Sequence, residues 1–450
     1  MKLRRLVASL AVSSAVLLAG ALPTPAAQAQ EQATHEQTHE QTRRGGHRPV
    51  VFVHGFSGSA AQFDTQARRL TGNGYRIGLI EAHEYDSLFQ VNTRAQVYAG
   101  LDARIDRLLA KSRADKVDLL AHSLGTTLMQ EYLRSSPERA AKVAHYVNLD
   151  GASSADQPGG VPTLAVWGEG SAERQVGGAE NVRFPEMSHT QVVSSPETFA
   201  KFYQFFTGLR PRTADVVEER GSVWLSGRTV LFPSNVGADG TRVEVYRVDP
   251  RTGERRSRKP AAAFRIGQDG AWGPFRARGD EHYEFAVVWP ASVHHLYFQP
   301  FRRSDALVRL LTSRPGEGVS GLMEASERHT NLVINRQKEW WGDQGAAGDS
   351  LRVNGLELLN PANAPRTKRA IGIFVYDAGV DGVTDLTAPI PQFFAQPFLT
   401  AMDAFLPAKR RPLTVVSTPR GGNGERDVLA VPALPSSGHR ISVIFDDYTG

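Results

Sequence analysis

The chain of 450 residues contains no cysteine. That excludes disulfide staples, thiolate metal sites, a cysteine nucleophile and a lipid-modified cysteine. Net charge is also small, with 52 basic against 47 acidic side chains giving +5. Lys2, Arg4 and Arg5 fall in an acid-free start, so beyond residue 29 the balance is 49 against 47, or +2. Neither this charge nor any motif points to nucleic acid. Long hydrophobic runs are scarce as well. The longest, Leu6–Leu22, falls short of the roughly 20 apolar residues that a spanning helix needs, so no transmembrane anchor is expected in the mature chain. Hydrophobic content of 41% with 22% charge describes a globular protein, and the length allows two or three domains.

The apolar run sits between the basic start and a small-residue site at Ala27-Gln28-Ala29. That order predicts an export signal over 1–29 and a secreted mature protein. Arg4-Arg5 leaves the export route open between two systems. Residues 30–48 are polar, and His35-Glu36-Gln37-Thr38-His39 matches the zinc-protease pattern H-E-x-x-H. Two imidazoles bind zinc only from one face of a docked helix, and this stretch has no apolar stripe to dock one, so it reads as a flexible linker. No metal is expected at the catalytic site and no cofactor is required.

From Pro49 to Gly208 short apolar runs alternate with amphipathic stretches, the pattern of a compact, mostly parallel sheet flanked by helices. Strands are expected at Val50–Val53, Arg76–Ile80, Val117–Ala121, Val143–Leu149, Thr163–Trp167 and Asn181–Phe184. Helical spacing runs through Ala60–Leu70, Ala95–Leu109 and Thr126–Leu133. A last helix has Ser195 as N-cap, Pro196 at its first position, Phe199, Phe202, Tyr203 and Phe206 on one face, and Gly208 as its stop.

Ala121-His122-Ser123-Leu124-Gly125 joins a buried strand to a helix, as in a nucleophile elbow. The serine there sits in so tight a turn that the residues two before and two after must be small. Serine needs a base, and in this fold the chain order is serine, acid, histidine. His189, the one histidine between residues 146 and 281, follows the last strand and precedes the last helix. Asp150 and Glu169 both end strands and both remain open as the acid, although Asp150-Gly151 also reads as a plain turn. An oxyanion hole requires backbone N–H groups, assigned to Leu124 after the nucleophile and to Phe56 in the loop His54-Gly55-Phe56-Ser57-Gly58-Ser59.

These stretches resemble the secreted two-domain α/β-hydrolase lipases with a C-terminal β domain, whose archaeal alkaline members supply the nearest parallel. The similarity runs through Phe52–Phe63, Ala114–Thr126, Ser135–His145, Leu149–Gly151 and Ser188–Ala200, then Val375–Leu386 and Gly438–Phe445. In that family the acid is the aspartate of the Leu-Asp-Gly triplet, which implies Asp150. Family members carry a helical lid, whereas here only Glu81 to about Asn92 fills that place. The expected activity is therefore hydrolysis of carboxylic esters of lipids by a lipase or carboxylesterase. The alternatives are a polyester depolymerase, an acyltransferase on the same triad, or a non-catalytic lipid- or polymer-binding protein.

After a polar hinge at 210–221 the pattern changes to short strands and turns, predicting two β-sandwich-like modules over 221–314 and 318–450. The resemblance implies that they help bind lipid, and they read equally as a scaffold packed against the hydrolase. Trp340-Trp341 and Tyr297-Phe298 fit anchors for a lipid or polymer surface, although such residues are more often core. Asp377, Asp381 and Asp385 occupy positions 1, 5 and 9 of a calcium-like loop. Gly379 stands where a third-position ligand belongs, so the stretch also reads as an Asp/Gly turn.

Overall fold

The computed structural model describes residues 46–170 and 172–446. The expected export segment, most of the expected linker and the His35/His39 pair lie outside them. The first half forms six parallel strands: β1 (Val50–Val53), β2 (Ile80–His83), β3 (Val117–His122), β4 (Val143–Leu149), β5 (Thr163–Trp167) and β6 (Glu180–Arg183), in spatial order β2-β1-β3-β4-β5-β6. This is the α/β-hydrolase arrangement. Alternate residues of β1 serve opposite faces, so both must be apolar. Val50 and Phe52 pack with Phe199, Phe202 and Phe206, while Val51 and Val53 pack with Leu101, Ile105 and Leu128. Two helices cover each face: α1 (Asp64–Gly72) and α4 (Pro196–Thr207) on the first, α2 (Arg94–Ser112) and α3 (Leu124–Arg134) on the second.

Local signals set the helix ends. The Ser195 hydroxyl accepts from the Thr198 N–H, and Gly208 closes α4 at φ 72°. Thr93 and Gln96 cap α2 reciprocally. The run Arg76–Ile80 departs from expectation: Ile77–Leu79 forms a 3-10 turn, and the strand begins only at Ile80. β1 starts at Val50, opposite Ile80, so the preceding residues have no strand to pair with.

The second half is mostly β, with one short helix at Pro391–Phe394. Eight strands lie side by side in the order Ala262–Arg265, Arg242–Val248, His282–Val288, Val293–Phe298, His439–Ile444, Leu332–Asn335, Gly372–Tyr376 and Leu399–Asp403. Two four-stranded sheets, one from each half of this region, pack with it. The segments 221–314 and 318–450 are thus joined, because His439–Ile444 pairs with Val293–Phe298 on one side and Leu332–Asn335 on the other. Local pattern cannot reveal that pairing, since its partners are more than 100 residues apart.

Of the two readings of the aromatic pairs, the structure has the core one. Trp340, Trp341, Tyr297 and Phe298 are all buried. The Arg336 guanidinium lies 3.6 Å from the Trp340 ring, and Trp341 meets Arg420 at 3.7 Å and Arg366 at 4.1 Å. Among the described residues, no helix is long and apolar enough to cross a membrane.

Charged contacts tie the β region to the hydrolase sheet. Glu84, just after β2, is buried and paired with Arg309 at 2.7 Å and Arg228 at 2.6 Å. Burial opposes its ionisation, but the two guanidinium groups outweigh burial and bring its carboxyl to about 2. Removing such a partner strands a buried cation, at a cost of about 3–5 kcal/mol. Glu84→Ala should therefore lower unfolding free energy by about that amount, measured by urea denaturation, while a neutral result would show that the pair is dispensable.

Candidate active site

Ser123 stands between β3 and α3 at φ 51° and ψ −122°, a conformation that only a tightly enforced turn imposes on a residue with a side chain. Its N–H donates to the Leu149 carbonyl at 3.1 Å, and its own carbonyl accepts from the Thr126 N–H and hydroxyl at 2.9 and 2.7 Å. Space decides the neighbours. A Cβ on Gly125 would stand 2.7 Å from the Val53 carbonyl oxygen, and one on Gly55 would stand 2.8 Å from Ser123 Cβ. A Cβ on Gly151 would overlap the Thr126 side chain. The turn reading of Asp150-Gly151 is therefore incomplete, since Gly151 is also required by packing under α3.

Asp150 leaves β4 with its N–H bonded to the Val166 carbonyl at 2.7 Å. Its Oδ2 lies 2.6 Å from His189 Nδ1, while Oδ1 accepts from the Gly168 N–H at 3.0 Å and from the Arg174 guanidinium. Burial would raise this carboxyl; the His189 hydrogen bond, then the Gly168 N–H and Arg174, outweigh burial and hold it at about 2. Glu169 does not approach the histidine in this way. Its carboxylate is paired with Arg366 at 2.7 Å and Arg369 at 3.8 Å. Of the two candidate acids, Asp150 is the one hydrogen-bonded to His189.

His189 is buried in the loop between β6 and α4. His122 Nε2 lies 3.1 Å from the His189 carbonyl oxygen, which makes it the donor and ties this loop to the residue before Ser123. Burial and the neighbouring His189 push His122 well below its usual value, so it is neutral. Across from Ser123, the His54–Ser59 loop is held from outside: Tyr85 Oη donates to the His54 carbonyl at 2.8 Å, Ser57 N–H to the Ser87 hydroxyl at 2.8 Å, and Asn235 Nδ2 to the Gly58 carbonyl at 2.8 Å. Among the described residues, the Phe56 and Leu124 N–H groups donate to no acceptor.

The segment in the place of a lid contains no helix. Asp86 gathers it by accepting from the Leu88, Gln90 and Val91 N–H groups at 3.0, 2.7 and 3.0 Å, which leaves Leu88 and Val91 exposed. The calcium-like loop shows a turn pattern too. Asp377 accepts from the Gly382 N–H, Asp381 from Val383 and Asp385 from Thr387. Asp403 lies among them, its carboxyl raised by burial and by the charges of Asp381, Asp377 and Asp385. Among the described residues no group of three His, Cys, Asp or Glu side chains gathers at metal distance.

Sequence reasoning missed Glu339. This fully buried carboxylate reaches from the 318–450 segment into the His189 loop and accepts from the Thr190 N–H at 2.6 Å, the Gln191 N–H at 3.3 Å and the Ser188 hydroxyl. Arg420 supports the same loop, donating to the Ser188 hydroxyl at 3.0 Å and Gln191 Oε1 at 2.9 Å, and is itself paired with Asp349 at 2.9 Å. The only sequence signal was charge within an aromatic stretch, Lys338-Glu339-Trp340-Trp341.

With this geometry in view, a family model for lecithin:cholesterol acyltransferase matches residues 36–166, and one for a lipase C-terminal domain matches 221–315. Together these matches follow the arrangement of a two-domain lipase with a C-terminal domain. A further C-terminal-domain model matches 318–449. Among solved structures, Aspergillus fumigatus lipase B aligns at 13% identity over 38% of this chain and 54% of that one, with TM-score 0.31, so the chain spans about half of that lipase. Phospholipase PlaB from Legionella pneumophila aligns at 10% identity over 62% of this chain and 97% of that one, with TM-score 0.26. Likeness at this level carries no argument about activity.

Two outcomes test the geometry of this site. Glu339→Ala leaves three donors unpaired and should speed amide exchange at Thr190 and Gln191 by about tenfold or more, read by hydrogen-exchange mass spectrometry. The depressed Asp150 carboxyl contributes stability above its unfolded value near 3.8 that is lost as pH falls through about 2. The stability gap between the native chain and Asp150→Asn should therefore shrink by about 2 kcal/mol between pH 5 and pH 2, measured by urea unfolding at each pH.

Proposed function

We propose that this protein is a secreted serine hydrolase of lipid carboxylic esters, acting through Ser123, His189 and Asp150. The observation that carries the reading is the 2.6 Å contact between His189 Nδ1 and Asp150 Oδ2, beside a serine held at positive φ. An ionised Asp150 can only accept, so His189 Nδ1 carries the proton and Nε2 keeps its lone pair. Nε2 takes the Ser123 hydroxyl proton as Oγ attacks the ester carbonyl, and the carbonyl π pair moves onto oxygen. The Phe56 and Leu124 N–H groups face no competing acceptor and stabilise that oxyanion. Collapse expels the alcohol, protonated by His189, and leaves an acyl-serine that water then cleaves with the same histidine as base.

The helix-free segment after β2 favours an esterase-like reach over one governed by a large lid, and a panel from tributyrin to triolein with a polyester film tests this. The match to the acyltransferase model supports a second reading, in which an alcohol replaces water at the acyl-serine. Product analysis with added alcohol separates the two, because transfer yields a new ester and hydrolysis yields free acid. Secretion rests on the order of charges and apolar residues in 1–29.

Ser123→Ala should lower kcat on p-nitrophenyl butyrate by at least about 10⁴-fold with the fold retained, and should abolish fluorophosphonate labelling. Asp150→Asn should lose about 10⁴-fold, whereas Glu169→Gln stays within about tenfold. Labelling that persists without Ser123, or an inert native Ser123, would overturn the assignment, the latter in favour of a binding protein.

A further inference from the structure

Among the described residues two rings approach His189. His122 comes to 4.5 Å between ring centres, and Phe398 to 6.3 Å with its plane only 12° from that of the imidazole. His122 is buried and engaged with the His189 carbonyl oxygen, whereas Phe398 is half-buried and meets solvent. Phe398 comes from the 318–450 segment, directly before the outermost strand of the eight-stranded sheet, Leu399–Asp403.

Its backbone is held there under strain. Phe398 stands at φ 62°, in the left-handed region that glycine occupies freely and a bulky side chain disfavours. Its carbonyl accepts from the Ile371 and Gly372 N–H groups at 2.8 and 3.2 Å. The turn before it is fixed as well. Phe393 is buried against Phe374 and Tyr376, and Lys368 Nζ donates to the Gln396 carbonyl at 2.6 Å. A strained, anchored residue whose ring stays partly open beside the candidate base fits a surface shaped for a ligand better than one shaped for packing.

In the reaction proposed above, His189 Nε2 hands its proton to the departing alcohol, whose oxygen must come within about 2.6–3.2 Å of it. The carbonyl oxygen goes instead to the Phe56 and Leu124 N–H groups. Substituents on the alcohol are thus the part of the ester that reaches a ring beside the imidazole. We propose that Phe398 is the wall that limits the size of the alcohol in the ester. The inference rests on the hydrolase reading and deepens it. Esters of small alcohols pass, and a branched or cyclic alcohol collides with a ring whose backbone is anchored. The acyl chain does not meet this wall.

The full-length chain is assayed with methyl and cyclohexyl butyrate, which differ in the alcohol, and with methyl hexanoate, which differs from the first in the acyl chain. Phe398→Ala should raise the cyclohexyl-to-methyl ratio of kcat/KM by about tenfold or more, the scale on which an apolar wall discriminates by a few carbons. Phe398→Trp should lower that ratio, and Phe398→Leu should fall between the native chain and Phe398→Ala. The hexanoate-to-butyrate ratio should stay within about threefold. A merely structural role would slow every ester alike and leave both ratios where they were. An unchanged alcohol ratio, or an acyl ratio that shifts as much, overturns the inference while ester turnover and fluorophosphonate labelling of Ser123 persist. A native chain that turns over no ester overturns the hydrolase reading itself, so the two failures are told apart. Phe398→Leu and Phe398→Trp read the same ratio if Phe398→Ala does not fold.

Discussion

The Ser123 backbone, at φ 51° between a buried strand and a helix, is the constraint from which the rest of the site follows. A residue with a side chain occupies that conformation only when the surrounding structure enforces it. Here the enforcement is steric and hydrogen-bonded at once. α3 is drawn so close to β1 that Gly125 has no room for a Cβ, and the His54–Ser59 loop crosses so near Ser123 that Gly55 has none either. Thr126 binds the Ser123 carbonyl and accepts from the Ala152 N–H, joining the elbow to the loop that carries Asp150. The hydroxyl is presented at the end of the sheet because the chain has nowhere else to put it.

Loops at the end of a sheet do not hold themselves, and here the β region holds them. Asn235 and the arginines paired with Glu84 brace the oxyanion loop and its neighbour from one segment. Glu339 and Arg420 brace the His189 loop from the other. Each brace is a charged or amide side chain hydrogen-bonded across the two halves, to backbone groups or to other side chains, an arrangement costly to break. The chain beyond residue 221 is accordingly a structural part of the site. Its aromatics support that role, with Trp340 and Trp341 stacked on the arginines of the same network rather than facing solvent.

Much of the hydrolase half was legible in advance because its signals are local. Ser195, Pro196 and Gly208 mark the ends of α4 through bonds made within one turn, and the alternation in β1 states that both faces are covered. Arg76–Ile80 misled because its apolar content suits a strand, while the partner needed to make it one begins at Val50. Asp150 and Glu169 could not be separated by position alone, since both follow strands that end at the same edge. The choice depends on where the side chains go: Gly168 donates to Asp150, whereas Arg366, about 200 residues away, takes Glu169.

The sequence by itself determined the order of serine, acid and histidine, the small residues that a nucleophile elbow demands, and the change from α/β to all-β structure near residue 210. These are properties of neighbours along the chain, and residue size and periodicity carry them. Only the tertiary structure decided that Glu339 grips the His189 loop and that 221–314 and 318–450 share a sheet. Each of those facts depends on which distant segments are brought within hydrogen-bonding range. That range is a few ångströms, and the partners are more than 100 residues apart.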